Sequence, residues 1–263
     1  MDVHSPRSLA EALALKAEIP DARFVQGGTD VLVELNFDRS RPAALINLNE
    51  VPELRGYGFE GDTMILGAGL TYAEAMAAPL AGKFPALAEA SRTVGSPQIR
   101  NRGTIGGNLG TSSPAGDALP PLVIGDAEVC VASVRGERRV PISDFVLGVK
   151  KNALAPDELV VSVRMKPTGA PQTFMKVGPR NAMVIAVCSL ALQVDRERGE
   201  LRAAFGSSAP TVRLVTSRID EADAFPARVA EAASPIDDVR GTAAYRRHAL
   251  RVLTGRALER CFA

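Results

Sequence analysis

The sequence contains no tryptophan, three tyrosines, two histidines and three cysteines among its 263 residues. His4 and His248 lie near opposite ends of the chain, which argues against a Ser–His or Cys–His catalytic pair and against a histidine-based metal site. Cys130, Cys188 and Cys261 are odd in number and widely spaced, so neither a disulfide framework nor a Cys-x-x-Cys metal motif is expected. If the chain belongs to an enzyme, a bound cofactor has to supply the chemistry. We therefore predict neither catalytic side chains nor metal ligands.

The charges are balanced, and no long segment is strongly apolar. Lysine and arginine total 31 against 30 aspartate and glutamate residues, which gives a net charge of +1. This balance and the scarcity of aromatic residues argue against a surface built for nucleic acid or for an anionic membrane. No apolar run approaches the roughly 20 residues that cross a bilayer, and Met1–Arg7 lacks the pattern of a signal peptide. We expect a cytoplasmic protein without a membrane span.

Two glycine-rich segments are the most informative feature that the sequence does contain. One is Ile99–Leu109, which is followed by Asp117, and the other is Gln26–Asp30. Glycine permits positive φ and removes the Cβ atoms that would hold a ligand away from the backbone. Successive N–H groups can then form a nest for an anion. Two nests of this kind predict a ligand with two phosphates, such as a dinucleotide cofactor.

Each motif also has a simpler interpretation. Gly27–Asp30 is compatible with a tight turn after a strand, because it lacks the three-glycine Rossmann fingerprint and no Gly-Lys-Ser/Thr motif of a P-loop occurs. Asp117 by itself is typical of a helix N-cap, and Lys176 by itself is typical of a solvated strand residue. A simple turn explains Arg102–Asn108 less well, because clustered glycines cost conformational entropy on folding.

Capping and alternation patterns predict the secondary structure of the first part. Ser8 and Thr71 each begin a capping-box pattern that opens a helix. A strand over Arg23–Gln26 leads into the first glycine pair, and a helix is expected after Asp30. The other predicted strands, four of them paired in hairpins, are Ala44–Asn47, Tyr57–Glu60 with Thr63–Leu66, Glu128–Val134 with Glu137–Val140, and Leu159–Met165.

Pro167–Pro171 interrupts these patterns and predicts a domain boundary, which divides the chain into residues 1–167 and 168–263. The second part is predicted to contain three strands followed by two helices. Its predicted strands are Thr173–Val177, Val184–Val194 and Leu201–Phe205, and its predicted helices are Glu221–Ala232 and Ala243–Leu258.

Several motifs together resemble the FAD-binding subunit of molybdenum hydroxylases, a family that includes the flavoprotein subunits of xanthine dehydrogenase and aerobic carbon monoxide dehydrogenase. The resemblance extends over nearly the whole chain, although Gln26 replaces a residue that is usually small. No clustered cysteines are present for an additional iron–sulfur cluster. The matching segments are Gly27–Asp30, Gly95–Asn101, Gly103–Leu109 and Ser113–Asp117, with support from Lys176–Arg180, Phe205–Gly206 and Val239–Arg247.

The resemblance implies an α+β fold, in which a two-part FAD-binding domain precedes a small α/β C-terminal domain with an antiparallel sheet and helices. The arginine-rich helix Ala243–Leu258 is then expected to cover that sheet on one side. It implies FAD as the cofactor, with the pyrophosphate held by backbone N–H groups of both glycine motifs. Thr111 and Asp117 match positions that contact the nucleotide half of FAD, and Leu159 and Lys176 match positions near the flavin ring and the domain junction. The implied cofactor-binding residues are Val25, Gln26, Gly27, Gly28, Thr29, Asp30, Val31, Gly103, Thr104, Gly107, Asn108, Thr111, Asp117, Leu159 and Lys176.

The function implied by the resemblance is electron transfer within a heteromeric molybdenum hydroxylase. The expected partners are a molybdenum–pterin large subunit and an iron–sulfur small subunit in a dimer of heterotrimers, with NAD, a quinone or oxygen as the final acceptor. Two alternatives stay open, namely a free-standing FAD-dependent oxidase and a flavin-free subunit that serves as a structural bridge. The few histidines and tyrosines argue against the first alternative, and the intact glycines argue against the second.

Overall fold

The computed structural model describes residues 1–263, and its first layer is a three-stranded parallel sheet. The strands, in the order β1-β3-β2, are β1 (Asp2–His4), β2 (Arg23–Val25) and β3 (Ala44–Asn47). Parallel strands need crossover connections, which are provided by helices α1 (Leu9–Glu18) and α2 (Val31–Asn36). The first glycine pair therefore lies at the carboxyl end of a parallel strand, directly before a helix.

A five-stranded antiparallel sheet follows, in the order β4-β5-β10-β6-β7. Its strands are β4 (Tyr57–Glu60), β5 (Thr63–Gly67), β6 (Glu128–Ser133), β7 (Gly136–Pro141) and β10 (Leu159–Met165), and a small separate hairpin is formed by β8 (Val146–Gly148) and β9 (Lys151–Asn152). Short helices fill the connections: α3 (Tyr72–Ala75), α4 (Leu80–Lys83), α5 (Pro85–Thr93), α6 (Pro97–Arg100), α7 (Ile105–Thr111), α8 (Leu119–Ile124) and α9 (Ile142–Phe145).

The C-terminal sheet has four antiparallel strands in the order β11-β12-β13-β14, followed by two helices. These elements are β11 (Gln172–Val177), β12 (Cys188–Asp195), β13 (Glu200–Gly206), β14 (Arg213–Arg218), α10 (Phe225–Glu231) and α11 (Ala243–Phe262). All eight residues of β12 are buried. Burial on both faces is explained by the helices, because α11 packs on one face while α5 and α8 pack on the other. The predicted cover by the C-terminal helix is confirmed.

Two large apolar clusters form the core. One comprises 34 buried residues between Ala12 and Met165, and the other comprises 17 between Cys188 and Cys261. Pro167–Pro171 lies between the two clusters along the chain. A third cluster of six joins Ala86, Ala90 and Ile124 to residues of the C-terminal sheet. The C-terminal sheet is thereby fixed against α5 and α8, which brings β11 close to the segment after the second glycine motif.

Local signals are confirmed at both capping patterns. Ser8 Oγ accepts from the Glu11 N–H at 3.2 Å and begins α1. Thr71 Oγ1 accepts from the Glu74 N–H at 3.2 Å, and Glu74 Oε2 accepts from the Thr71 N–H at 2.7 Å, which completes a reciprocal capping box. None of the helices combines the length and the apolar composition needed to cross a membrane.

Several boundaries differ from the sequence prediction. The second glycine motif is predicted as a loop, yet it enters α7 at Ile105 because Thr104 caps that helix. Strands β1 and β14 are not predicted, since β1 has only three residues and β14 has no fully buried residue that would mark an apolar face. The strand predicted from Val184 begins only at Cys188, and the helix predicted from Glu221 begins at Phe225, after a 3-10 turn.

Candidate functional site

A cleft of about 640 Å³ lies where the glycine motifs meet the starts of β10 and α2 and the end of β11. This volume falls within the range of small-molecule and cofactor sites. All fifteen residues predicted to bind the cofactor line this cleft, including Leu159 and Lys176 from distant parts of the sequence. The structure thus brings the whole predicted set together.

The first wall of the cleft is the loop between β2 and α2. The backbone N–H groups of the six consecutive residues from Gln26 to Val31 have no acceptor within the chain. Gly28 has φ of +74°, a conformation that favours glycine and directs the loop backbone into a concave turn. These residues are half-buried or exposed, so their N–H groups are open to a ligand as well as to water. Successive free N–H groups of this kind are able to form a nest for an anion.

The second wall is the segment from Gly103 to Asn108, whose backbone N–H groups are also predicted to hold the pyrophosphate. The N–H groups of Ile105 and Gly106 donate to the carbonyls of Leu70 and Ala68 at 3.0 and 2.8 Å. The Gly107 N–H donates to Thr104 Oγ1 at 3.0 Å, so the helix N-cap already satisfies it. The Thr104 N–H, by contrast, has no acceptor within the chain. Most donors of this motif are used inside the protein, unlike those of the first loop.

The glycines of the second motif instead permit close packing. A Cβ at Gly106 would lie 2.6 Å from Ala68 Cβ, so this glycine lets α7 lie directly on the backbone that follows β5. A Cβ at Gly107 would contact only Thr104 Oγ1, at 3.1 Å, and Gly107 lines the cleft. Gly106 is thus required by the protein itself, whereas Gly107 leaves room on the side of the ligand.

The two walls are joined at two points. A Cβ at Gly27 would lie 2.1 Å from the Arg102 carbonyl oxygen, which is closer than any side chain tolerates. Thr111 Oγ1 donates to Asp30 Oδ2 at 2.7 Å, which links the end of α7 to the start of α2. Asp30 is predicted to cap α2, but its side chain makes no capping hydrogen bond. The spacing of the walls is therefore set by Gly27 on one side and by this polar link on the other.

Asp117 and Lys176 form a buried ion pair at one end of the cleft. Lys176 Nζ lies 2.5 Å from Asp117 Oδ2, and the two side chains are only 7% and 6% exposed. Thr93 Oγ1 also donates to Asp117 Oδ2, at 3.2 Å, and the Thr93 carbonyl accepts from Lys176. Burial raises the pKa of Asp117, and the charge of Lys176 and the hydrogen bonds partly oppose this rise.

The resemblance assigns these two residues to different parts of the cofactor site, Asp117 to the nucleotide half and Lys176 to the surroundings of the flavin ring and the domain junction. The structure holds them side by side in one ion pair, and the part of the cofactor that each contacts stays a prediction. Leu159 begins β10 next to the buried Glu158, which pairs with Arg138. Leu159 and Lys176 are therefore held by different elements and do not form one local cluster.

Residues that sequence reasoning misses complete the lining. Tyr72 follows the Thr71 cap, and the bridge between Thr71 and Thr104 brings it to the second wall. Lys16 at the end of α1 donates to the carbonyls of Pro20 and Ala22, both at 2.6 Å. The other unpredicted lining residues include Ala68, Gly110, Asn152, Leu154, Pro156, Val184 and Ile185. Only Tyr72 carries a local signal, its position directly after a capping box.

Three residues of the cleft lining carry a buried polar atom that has no partner within the chain. Gln26 Nε2, Asn108 Oδ1 and Asp117 Oδ1 are inaccessible to solvent and make no hydrogen bond. All three residues line the cleft. An unpaired buried polar atom is costly, so a ligand with both donors and acceptors fits this surface. Together with the free N–H groups of the first loop, these atoms fit a phosphate-bearing cofactor.

Comparisons with known proteins agree with this geometry. Residues 1–167 match the family model of the FAD binding domain in molybdopterin dehydrogenase. The xanthine dehydrogenase FAD-binding subunit of Escherichia coli O157:H7 is 33% identical over 216 residues, which cover 79% of this chain and 74% of that protein. The nicotinate dehydrogenase FAD-subunit of Eubacterium barkeri is 36% identical over 201 residues, 73% of this chain and 68% of that protein. A solved chain of carbon monoxide dehydrogenase from Hydrogenophaga pseudoflava matches with a TM-score of 0.92 at 28% identity, covering 100% of this chain and 97% of its own length.

These matches confirm the predicted α+β fold and FAD as the cofactor. The relatives are subunits of dehydrogenases, which makes this chain part of an oxidoreductase. The chain belongs to the family of FAD-binding subunits of molybdenum hydroxylase-type dehydrogenases.

Proposed function

We propose that this chain is the electron-relaying flavoprotein subunit of a heteromeric molybdenum hydroxylase. Substrate is oxidised at a molybdenum–pterin centre on a large partner subunit, and electrons reach this chain through iron–sulfur clusters on a small one. The final acceptor is NAD or another oxidant that reaches the flavin, and the complex is a dimer of heterotrimers in the cytoplasm. The names of the relatives, which are subunits of larger dehydrogenases, support this assembly.

The observation that carries the proposal is the set of six free N–H groups from Gln26 to Val31 inside a cleft that both glycine motifs enclose. FAD supplies the redox chemistry when it is bound, and the protein supplies binding, orientation and electrostatics. The free N–H groups of the first loop would hold the diphosphate, and the Thr104 N–H would add one donor from the second wall. The link between Thr111 and Asp30 holds the two walls together beside these donors.

The remaining predicted residues orient the two ends of the cofactor. Asp117 is held by Lys176 and Thr93 through Oδ2, so its unpaired Oδ1 accepts a hydrogen bond from a cofactor N–H or O–H. Lys176 acts mainly by holding this carboxylate in place. Leu159 supplies apolar contact at the start of β10, and Asn108 Oδ1 is a second acceptor in the cleft.

No side chain in the cleft is arranged as an acid, a base or a nucleophile. Neither histidine lines the cleft. Tyr72 is the only tyrosine there, and burial together with the charges of Asp117 and Asp30 raises its pKa, so it keeps its proton at neutral pH. An oxidase that activates its own substrate needs such a group. The electron-relay function is therefore favoured over the free-standing oxidase.

The test is to isolate the chain from its native source through an affinity tag and to analyse the complex. We expect two co-purifying subunits, with molybdenum, iron and FAD, and reduction of the flavin when the substrate of the complex is added. A yellow protein without a molybdenum-bearing partner would instead support the oxidase. A colourless protein that still binds both partners would support the structural bridge.

A further inference from the structure

A second, smaller cleft of about 340 Å³ lies on the protein surface. It lies beside the cleft of about 640 Å³ that both glycine motifs enclose, which is called the flavin cleft below. It is bounded by the loop after β3, the start of α3 and the end of α6. Gln26 and Thr104 line both clefts, and only one of the nine lining residues, Ala73, is hydrophobic. Such a polar lining favours a charged ligand over an apolar one.

The side chains that line this cleft carry a net positive charge, with two arginines against one glutamate. Arg55 and Arg102 both line it, and neither forms an ion pair with a carboxylate of the chain. Arg102 makes only long hydrogen bonds, 3.3 Å to the Gln26 carbonyl and 3.4 Å to Asn49 Oδ1. Glu74 is the one acidic residue in the lining, and its Oε2 is already occupied by the Thr71 N–H and hydroxyl at 2.7 Å each.

The remaining donors suit an anion with several oxygen atoms. The Arg55 guanidinium and the Asn101 side chain make no hydrogen bond within the chain, although both line the cleft. A guanidinium presents a planar fork of N–H groups that matches a phosphate in bidentate geometry. Two such forks and a side-chain amide converge here on one small volume.

We propose that this cleft binds the phosphate group of a small molecule, at a site separate from the flavin cleft. Its volume suits a small ligand or part of a nucleotide. Free phosphate compounds and the phosphates of a dinucleotide acceptor present the same chemistry to Arg55 and Arg102. The Arg102 backbone carbonyl abuts Gly27, so an occupied site touches the wall that faces the flavin.

The test is titration calorimetry of the FAD-loaded, oxidised protein with inorganic phosphate, pyrophosphate and NAD⁺ at constant ionic strength. We expect saturable binding of at least one of these probes. Arg55→Gln and Arg102→Gln should each weaken that binding about tenfold or more, because each removes a charge-assisted pair. Arg251→Gln is the matched control, since Arg251 is exposed on α11 and lies far from this cleft in the sequence.

The probes distinguish the sources of the phosphate. Tighter binding of pyrophosphate or phosphate identifies a free anion, and tighter binding of NAD⁺ that is lost in both arginine variants identifies a dinucleotide. The absence of saturable binding to the FAD-loaded protein would overturn the proposal, as would equal affinities of the wild type and the two arginine variants. The flavin absorbance of the same samples reports separately whether FAD is bound, so failure of the flavin assignment is recognised independently.

Discussion

The Gly27→Ala substitution tests whether the two walls must touch for FAD to bind. The added Cβ would lie 2.1 Å from the Arg102 carbonyl oxygen, 2.7 Å from its carbonyl carbon and 3.1 Å from Gly103 Cα. Non-bonded heavy atoms pack at about 3.5–4.0 Å, so the walls must separate by about 1 Å or more. Overpacking of this kind costs about 1–3 kcal/mol, which corresponds to a loss of roughly 5- to 150-fold in FAD affinity.

The assay is the dissociation constant of FAD for the apoprotein, measured by titration of flavin fluorescence, with thermal unfolding of the apoprotein in parallel. The walls line an open cleft, so we expect them to part while the two apolar clusters stay folded. Gly107→Val is the companion variant. Its Cβ meets only Thr104 Oγ1, so the apoprotein should remain folded while the valine methyl groups occupy ligand space and abolish flavin retention.

Wild-type FAD affinity in folded Gly27→Ala protein would refute the reasoning about wall contact. A fully flavinated Gly107→Val protein would refute the placement of the ligand beside α7. Loss of folding in Gly27→Ala alone would not decide the matter, and the Gly107→Val result then carries the test of the cleft.

Three further predictions concern stability. Lys176→Met should destabilise the apoprotein by about 3–5 kcal/mol in urea unfolding, because it leaves Asp117 buried without its partner, and adding Asp117→Asn should recover most of this loss. The stability of Lys176→Met should rise as the pH falls from 8 to 5, because a carboxyl with a raised folded-state pKa binds its proton more tightly in the folded state. Burial opposes ionisation of Asp238, but hydrogen bonds from Arg240 and the charge of Arg246 lower its pKa to about 2. The stability that it contributes is present above pH 4 and is lost as the pH falls through 2. The free energy of unfolding of the wild type should therefore fall by about 2 kcal/mol in that window because of this group, and Asp238→Asn should lack this part of the decrease. Gly255→Ala should raise stability in thermal unfolding by about 0.5–1 kcal/mol, because its Cβ meets nothing within 4 Å in the middle of α11.

Each stability prediction has an outcome that contradicts it. Equal losses in Lys176→Met and in the double variant would show that Asp117 is not left as an unpaired charge. Parallel pH profiles of the wild type and Asp238→Asn between pH 4 and 2 would contradict the lowered pKa of Asp238. A lower unfolding temperature for Gly255→Ala would mean that this part of α11 requires glycine.

Local signals in the sequence are sufficient for much of the fold. The caps at Ser8 and Thr71 are formed by short-range hydrogen bonds and depend on few other residues. Hairpins such as β4–β5 follow from turn residues between alternating segments. Strand β14 carries no such signal, because it lies at a sheet edge with alternately exposed and half-buried residues. β14 forms because it pairs with β13, and its own composition does not indicate a strand.

The site is less predictable because distant contacts build it. The glycine motifs identify the segments, but the sequence does not indicate that the Gly107 N–H is consumed by Thr104 while Gln26–Val31 remains free. Likewise, the pairing of Asp117 with Lys176 spans 59 positions and depends on how β11 packs near α5. Residue types and glycine patterns therefore locate the cleft, whereas hydrogen-bond partners decide which groups face the ligand.

The most direct test of the account is to identify and count the flavin bound to the purified chain. Protein prepared under native conditions, or apoprotein incubated with FAD, should release FAD on denaturation in a ratio of about one per chain, and the Gly107→Val protein should release almost none. A wild-type protein that is folded, contains no flavin and fails to bind added FAD would contradict the central claim that the free N–H groups of Gln26–Val31 hold the diphosphate of this cofactor.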